Sequence, residues 1–258
     1  MIKAIFFDID GTLVSFKTHE VPVKVVEAIN ELREKGVKVF IATGRHFASI
    51  NNLGDLQFDG YVTLNGGYCF AGNHVIYKHH IPKEDIEKLL DYLEHEESFP
   101  CTFVREHALT MNYENEATEH IFTMLNFPKP PVGDLREAAK EDIYQLIAFF
   151  DGSQEERVME AMPGCEATRW YPSFADVVPA GSSKRIGIDK VIEYFGISLD
   201  ETMAFGDGGN DIAMLEHAGI SVALGNAADD VKQAADYVTT SVDDDGVVNA
   251  LKHFGLID

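Results

Sequence analysis

The most constraining feature of this sequence is the motif Asp-Ile-Asp-Gly-Thr at residues 8–12, which directly follows a mostly apolar run at residues 2–7. A short apolar run with aromatic and β-branched residues predicts a buried strand. The motif then lies at the C-terminal end of that strand, where open α/β sheets carry their active sites. Residues two apart in extended chain share a side, so Asp8 and Asp10 can face the same way before Gly11 turns the backbone.

Two carboxylates held this close repel each other unless a cation or a shared proton separates them. Such a pair suits metal-assisted chemistry, in which one acid attacks and the other transfers protons. The alternative is an ordinary Asx-type turn after a strand. A calcium-binding loop is excluded, because Leu13 and His19 stand where that loop needs a glycine and a bidentate glutamate.

A second acidic loop of the same design lies far away in the sequence. Residues 202–205 predict a strand that runs into Gly-Asp-Gly-Gly-Asn-Asp at residues 206–211 and then into a helix. The glycines let backbone approach a ligand, while Asp207 and Asp211 supply oxygen ligands suited to magnesium. The structural alternative is a glycine turn in which Asn210 or Asp211 caps the helix. Two such loops in one chain favour the catalytic interpretation.

Two further segments fit between these loops. A predicted buried strand at residues 37–42 ends in Thr43-Gly44-Arg45, where a hydroxyl and backbone N–H groups can hold an anion. Thr43 as an ordinary helix cap explains the same segment equally well. Lys184 lies at the start of an amphipathic helix, where the helix dipole favours acidic residues instead. A solvated surface lysine is the default alternative, so a functional role for Lys184 is indicated only in combination with the other three motifs.

In this order, the four motifs resemble the haloacid dehalogenase (HAD) superfamily of phosphoaspartyl enzymes. The resemblance extends to its Cof-type sugar-phosphatase branch through Thr-Gly-Arg at residues 43–45, Asn-Gly-Gly at residues 65–67 and Asp-Val-Val-Pro at residues 176–179. It covers the chain from end to end. One position departs from the pattern, since Arg185 stands where that branch usually has glycine; a changed local backbone or an added positive charge near the phosphate is expected there.

The resemblance implies a mechanism and a site. Asp8 is expected to attack phosphorus and form an aspartyl phosphate, while Asp10 transfers protons to the leaving group and from water. The implied cofactor is Mg²⁺, and its expected ligands are Asp8, the backbone carbonyl of Asp10, Asp207, Gly208 and Asp211. The groups expected to bind the phosphoryl oxygens are the backbone around Ile9, Thr43, Gly44, Lys184 and Asn210.

The expected function is magnesium-dependent hydrolysis of small soluble phosphate esters, with sugar phosphates as the favoured class. One alternative is a phosphomutase of the same superfamily, which returns the phosphoryl group to a bound sugar. A non-catalytic protein that binds a phosphate ligand is the other. It is disfavoured because Asp8, Asp10 and Asp207 are all present.

Composition agrees with a cytoplasmic enzyme. The three cysteines, Cys69, Cys101 and Cys165, form no CxxC pattern and indicate reduced thiols. No segment approaches a membrane span, and the apolar run after Lys3 is too short for a signal peptide. The net charge of -22 disfavours nucleic acid and anionic membranes as partners. An anionic substrate therefore needs local positive charge, for which magnesium, Lys184, Arg45 and helix N-termini are candidates; the oligomeric state is not indicated.

Strand and helix patterns alternate in the first and last thirds of the chain, which predicts an α/β protein with a doubly wound, Rossmann-like parallel sheet. Specific expectations are a helix at residues 23–35, a helix from His46 and a hairpin at residues 68–78. From about residue 80 the pattern changes to α+β. We expect residues 1–80 and 182–258 to form an HAD-like core, and residues 81–181 to form an inserted cap domain that selects the substrate.

Overall fold

The computed structural model describes the backbone of residues 1–258 and every side chain except that of Trp170. The chain divides into two compact units. Unit 1 comprises Met1–Tyr77 and Ser183–Asp258, and unit 2 comprises Lys78–Ser182. The role of residues 81–181 as a substrate-selecting cap stays a prediction.

Unit 1 is an α/β structure. Its strands and helices are, in chain order, β1 (Ala4–Phe7), α1 (Val23–Glu34), β2 (Lys38–Ala42), β3 (Gly60–Thr63), β4 (Tyr68–Ala71), β5 (His74–Lys78), then, after unit 2, α6 (Lys184–Phe195), β11 (Thr202–Gly206), α7 (Ile212–Leu215), β12 (Ile220–Ala223), α8 (Asp229–Gln233), β13 (Tyr237–Val238) and α9 (Gly246–His253). The sheet order is β13-β12-β11-β1-β2-β3-β4-β5, and pairing is parallel from β13 to β3.

The six parallel strands have the order of a doubly wound sheet. From β3 through β1 to β13 they run third, second, first, fourth, fifth and sixth along the sequence, which places the topological switch between β1 and β11. Ligands of such sheets bind at the carboxyl ends of the strands beside the switch. The loop after β1 begins with Asp8, and the loop after β11 carries Asp207 and Asp211, so both acidic loops lie there.

Helices cover both faces of this sheet, which explains the continuous apolar runs of its central strands. On one face Ile5 and Phe7 pack with α1 and α9. On the other face Ala4 and Phe6 pack with α6, α7 and α8. Because neighbouring residues of β1 point to opposite faces, the whole strand is buried. The predicted fold class of the core is confirmed.

Unit 2 is an α+β structure, as predicted. Its elements are α2 (Lys83–His95), β6 (Cys101–Val104), β7 (Leu109–Met111), α3 (Glu116–Met124), α4 (Leu135–Ala138), β8 (Gln145–Ala148), α5 (Glu155–Ala161), β9 (Cys165–Tyr171) and β10 (Phe174–Pro179). The strands form one sheet in the order β7-β6-β8-β10-β9. All pairings between its neighbours are antiparallel.

Most of the specific expectations for unit 1 are also confirmed. The helix predicted at residues 23–35 is α1, and the predicted hairpin is β4 and β5. The helix predicted from His46 is wrong, because only a single 3₁₀ turn, Phe47–Ser49, forms there. Among the described residues, no helix has the length and apolar character needed to cross a bilayer.

Candidate active site

Three carboxylates meet at the switch point of the unit 1 sheet. Asp8, Asp207 and Asp211 each place a carboxylate oxygen within 4.8 Å of the other two. Asp8 follows β1, and its backbone N–H continues the pairing with β11 by donating to the Phe205 carbonyl (3.0 Å). The central strands are buried on both faces, so the positions of their first loop residues are fixed by the core.

Lys184 lies between two of these carboxylates. Its Nζ donates to Asp8 Oδ1 (2.6 Å) and to Asp211 Oδ1 (2.5 Å), and its side chain is 0% exposed. Lys184 is the first residue of α6, and Ser183 before it caps the helix by accepting from the Ile186 N–H. The surface-lysine alternative is therefore wrong, because burial of this ammonium is compensated by two carboxylates.

Backbone and side-chain donors orient the two acids of the second loop. Asp211 Oδ2 accepts from the backbone N–H groups of Asp207 and Gly208, both at 2.9 Å. Asp207 accepts from the Thr12 hydroxyl (2.8 Å) and from the Asn226 amide (3.0 Å). Asp211 thus keeps its oxygens directed inward, and the alternative in which it only caps α7 does not account for its bond with Lys184.

The cluster carries uncompensated negative charge. Burial, together with Asp211 and Asp10, raises the pKa of Asp8 to about 7 although Lys184 opposes the shift. Burial, Asp8 and Asp211 likewise raise the pKa of Asp207 well above its ordinary value. For Lys184, burial disfavours the charge, but Asp211 and Asp8 outweigh it and raise its pKa. When all three carboxylates are ionised, they and the one ammonium leave a formal charge of two units negative, which a divalent cation would neutralise.

The donor set fits a hard cation. All three ligand candidates are carboxylates, and no cysteine or histidine belongs to the cluster. Oxygen-only sites suit magnesium, calcium or manganese rather than zinc. The geometry therefore agrees with a divalent-metal site at Asp8, Asp207 and Asp211.

Gly11 is required by the approach of the two acidic loops. Its φ is +86°, and a Cβ at this position would lie 2.1 Å from Asp207 Oδ2. Any side chain would thus combine left-handed backbone strain with a steric clash against a ligand candidate. The glycine of the first motif both turns the chain and makes room for the second motif.

Asp10 is held by Arg45 rather than by the carboxylate cluster. Arg45 Nε donates to Asp10 Oδ2 and Arg45 Nη2 donates to Asp10 Oδ1, both at 2.6 Å. The side chain of Asp10 is 22% exposed, whereas that of Arg45 is 3% exposed. Both donors of the Arg45 fork are directed at Asp10, so these contacts give no support to Arg45 as a source of local positive charge for the substrate, which stays a prediction.

The predicted phosphate-binding residues lie on the same edge of the sheet. Thr43 follows β2, and its hydroxyl accepts from the Arg45 N–H (3.1 Å). Gly44 is the next loop residue. The Ile9 side chain is buried in the core, so only its backbone can serve, and its carbonyl already accepts from Leu13 and Val14. Asn210 donates to Asn65 Oδ1 (2.9 Å).

Two asparagines belong to this region beyond the predicted site residues. Asn226, in the loop after β12, donates to both Asp207 Oδ2 and the Gly11 carbonyl (3.0 Å each), so it ties the two acidic loops together. Asn65 follows β3 in a left-handed conformation with φ of 51°. Both are polar residues shortly after a buried parallel strand, and Asn65 also belongs to the Asn-Gly-Gly motif that carries the family resemblance.

Arg185 does not disturb Lys184. Arg185 is exposed on the first turn of α6, whereas Lys184 is fully buried. A helical glycine is instead needed at Gly187, where a Cβ would lie 2.3 Å from Val62 Cγ1. The expected effect of Arg185 on the local backbone or on charge at the site therefore finds no support in its position.

Comparison with known proteins agrees with this geometry. Residues 5–251 match the haloacid dehalogenase-like hydrolases. The "Putative phosphatase YkrA" of Bacillus subtilis (strain 168) is 37% identical over 259 residues, which span 99% of this chain and 98% of the relative.

Two solved structures resemble the chain over its whole length. The HAD subclass IIB sugar phosphatase BT4131 is 50% identical with a TM-score of 0.94, over 99% of this chain and 100% of that chain. BT1666 from Bacteroides thetaiotaomicron, a phosphatase of the same superfamily, is 40% identical with a TM-score of 0.91, over 100% and 96% of the two chains. The resemblance inferred from the motifs, and with it the prediction of an HAD-type phosphatase, is confirmed. This chain belongs to the haloacid dehalogenase-like hydrolases.

Proposed function

We propose that this protein is a magnesium-dependent phosphomonoesterase that hydrolyses small phosphate esters through an aspartyl phosphate on Asp8. The observation that carries the proposal is the cluster of Asp8, Asp207 and Asp211 around Lys184 at the switch point of the sheet. It combines a nucleophile, a site for a divalent cation and a buried positive charge at one place. The similarity to sugar phosphatase BT4131 supports sugar phosphates as the substrate class.

The proposed first step forms a bond between an Asp8 carboxylate oxygen and phosphorus. The bond from phosphorus to the ester oxygen breaks, and Asp10 gives its proton to the leaving alkoxide. In the second step Asp10 takes a proton from water, the water oxygen attacks phosphorus, and the bond to Asp8 breaks. Inorganic phosphate then leaves, and both acids return to their initial states.

The chain's own residues stabilise the transferring phosphoryl group. Lys184 has three N–H donors, of which two reach Asp8 and Asp211, and we assign the third to a phosphoryl oxygen. We assign the remaining oxygens to Thr43, Gly44, Asn210 and the backbone around Ile9. A protein with a formal charge of -22 needs such local donors to admit an anion.

Magnesium fits the carboxylates of Asp8, Asp207 and Asp211, with the Asp10 carbonyl and Gly208 as further candidates. When bound, it supplies positive charge that shields the attacking carboxylate from the phosphate. Thr12 and Asn226 hold Asp207 in place for this role. A cytoplasmic location is part of the proposal and is supported by three buried, unpaired cysteine thiols.

A panel of phosphate esters with magnesium tests the proposal through released phosphate. Sugar phosphates, nucleotides and phosphopeptides are offered in competition, and the rates are compared as kcat/KM. Wild type should favour sugar phosphates, whereas Asp8→Asn, which keeps the shape but removes the attacking charge, should fall to background. Turnover by Asp8→Asn within a few-fold of wild type contradicts the covalent mechanism. Activation by a sugar bisphosphate with transfer between hydroxyls identifies a phosphomutase instead.

A further inference from the structure

Both oxygens of the Asp10 carboxylate accept hydrogen bonds from the buried guanidinium of Arg45. Besides the two bonds to Asp10, Arg45 Nη1 donates to the Ser49 carbonyl (2.8 Å) and to Asn51 Oδ1 (3.4 Å). At least four of its five N–H donors thus have protein acceptors. Such a fork fixes both the distance and the plane of the carboxylate it holds.

The backbone of Arg45 is fixed as firmly as its side chain. Its N–H donates to the Thr43 hydroxyl, and its carbonyl accepts from the N–H of Leu64 (3.3 Å). Leu64 has a φ of 53°, and the next two residues are also left-handed. Backbone strain of this kind persists only where the surroundings impose it. Arg45 is therefore a rigid support held by the loops after β2 and β3.

Asp10 needs such a support because its own turn holds only its backbone, whereas Arg45 is the residue that donates to its carboxylate among the described residues. It lies beyond the end of β1, directly before the left-handed Gly11. A carboxylate offers about four lone-pair positions, and the fork occupies one on each oxygen. The other positions keep their direction and stay available to a proton, a leaving group or a water.

We propose that Arg45 is a positioning residue that aims Asp10 at the leaving-group oxygen, and that it does not bind the phosphate. This inference rests on the proposed function, since it assigns a support to the proton-transferring acid of that reaction. A misplacement of about 1 Å at a reacting group costs about 10²-fold in rate, which sets the scale of the effect expected.

Leaving-group dependence separates positioning from the other roles. A sugar alkoxide needs a proton as it leaves, whereas 4-nitrophenolate leaves without one. The value of kcat/KM reports steps up to aspartyl phosphate formation, which includes proton donation to the leaving group. A lost phosphate contact or a damaged fold weakens both substrates alike, because both carry the same phosphoryl group. The ratio of the two kcat/KM values also cancels the concentration of active enzyme.

The experiment measures kcat/KM of wild type, Arg45→Gln, Arg45→Lys and Asp10→Asn for a hexose phosphate and for 4-nitrophenyl phosphate. Arg45→Gln should lose about 10²-fold on the hexose phosphate and less than about 10-fold on 4-nitrophenyl phosphate. Asp10→Asn should show the same selectivity with a larger loss. Arg45→Lys should fall between, since an ammonium restores the charge but not the fork. Arg136→Gln, which removes an exposed arginine paired with Glu94, should match wild type on both.

Equal losses of Arg45→Gln on the two substrates overturn the inference, as does a KM that rises equally for both. If Arg45→Gln does not fold, the ratio for Arg45→Lys decides by the same criterion. A failure of the proposed function looks different. In that case wild type hydrolyses neither substrate, or Asp8→Asn retains activity, whatever Arg45 variants do.

Discussion

The buried carboxylates of unit 1 should make the metal-free protein less stable as the pH rises. Burial raises the pKa of Asp8 to about 7, whereas its ordinary value is 3.8. Between these values the folded protein binds a proton that the unfolded chain has lost. The free energy of unfolding therefore falls as the pH rises through this window, which is the reverse of ordinary acid denaturation.

The size of the effect follows from the shift. About three pKa units at about 1.4 kcal/mol each give up to roughly 4 kcal/mol for Asp8 alone. Solvent screening reduces this little, because the Asp8 side chain is only 10% exposed. Asp8→Asn resembles the protonated acid and removes the titration. Without metal, variant and wild type should be equally stable near pH 4, and the variant should be more stable by up to about 4 kcal/mol near pH 8.

Urea unfolding followed by circular dichroism, at several pH values in chelator, measures this difference. The overall charge of -22 also changes with pH, but it does so almost equally in both proteins, so their difference reports Asp8 together with Asp207, whose pKa Asp8 raises. Asp55→Asn, which removes an exposed carboxylate of unit 1, is the matched control, and its free energy of unfolding should change with pH in parallel with that of wild type. Magnesium at about 100 times its Kd should stabilise wild type by about 2.7 kcal/mol. A difference between Asp8→Asn and wild type that does not change with pH refutes the reasoning.

Three further outcomes are expected. Gly11→Ala should abolish turnover, measured as phosphate release, because its Cβ displaces Asp207. Gly36 is equally left-handed but has open space around it, so Gly36→Ala should keep activity and cost about 1 kcal/mol of stability in urea unfolding. Chelator should abolish turnover, magnesium should restore it, and calcium should not, because its higher and looser coordination disturbs the attack; full activity without metal contradicts the site. Burial raises the pKa of the Cys69 thiol to about 12. Iodoacetamide at pH 8 should therefore modify Cys69 about 10³-fold more slowly in the native protein than in urea. Similar rates in the two conditions would show that the thiol is accessible.

The sequence predicts the elements of unit 1 well where the pattern is local. The central strands are short apolar runs, and both acidic loops follow such runs directly, so Asp8, Asp207 and Asp211 could be placed at one edge of the sheet. The helix predicted from His46 failed although Phe47, Ile50 and Leu53 have helical spacing, since the backbone becomes extended at Ile50 (φ −85°, ψ 99°) after a single 3₁₀ turn. The Ser49 carbonyl of this turn accepts a hydrogen bond from Arg45 Nη1.

Partners of long side chains are harder to predict than positions. Arg45 was correctly placed after β2, but its reach allows either a phosphate or the neighbouring loop of β1 as its acceptor. Only the packed structure shows that both donors of the fork go to Asp10. Within the left-handed pair, Asn65 has a local signal in the Asn-Gly dipeptide, whereas Leu64 has none and its conformation is imposed by the loops around it.

The strand order explains why several individually weak sequence motifs all indicate the same site. Parallel strands all present their carboxyl ends at one edge, so the loops after β1, β2, β3, β11 and β12 become neighbours although they are far apart in sequence. These loops supply different groups, with acids after β1 and β11, a hydroxyl and a guanidinium after β2, and an amide after β3 and β12. The acids repel one another, and the loops after β2 and β12 contribute donors that hold them, Arg45 for Asp10 and Asn226 for Asp207. The loop after β3 contributes an acceptor, since Asn65 Oδ1 accepts from the Asn210 amide. In such a site each donor offsets the repulsion between the acids. Removal of a single donor should therefore displace the carboxylate that it holds.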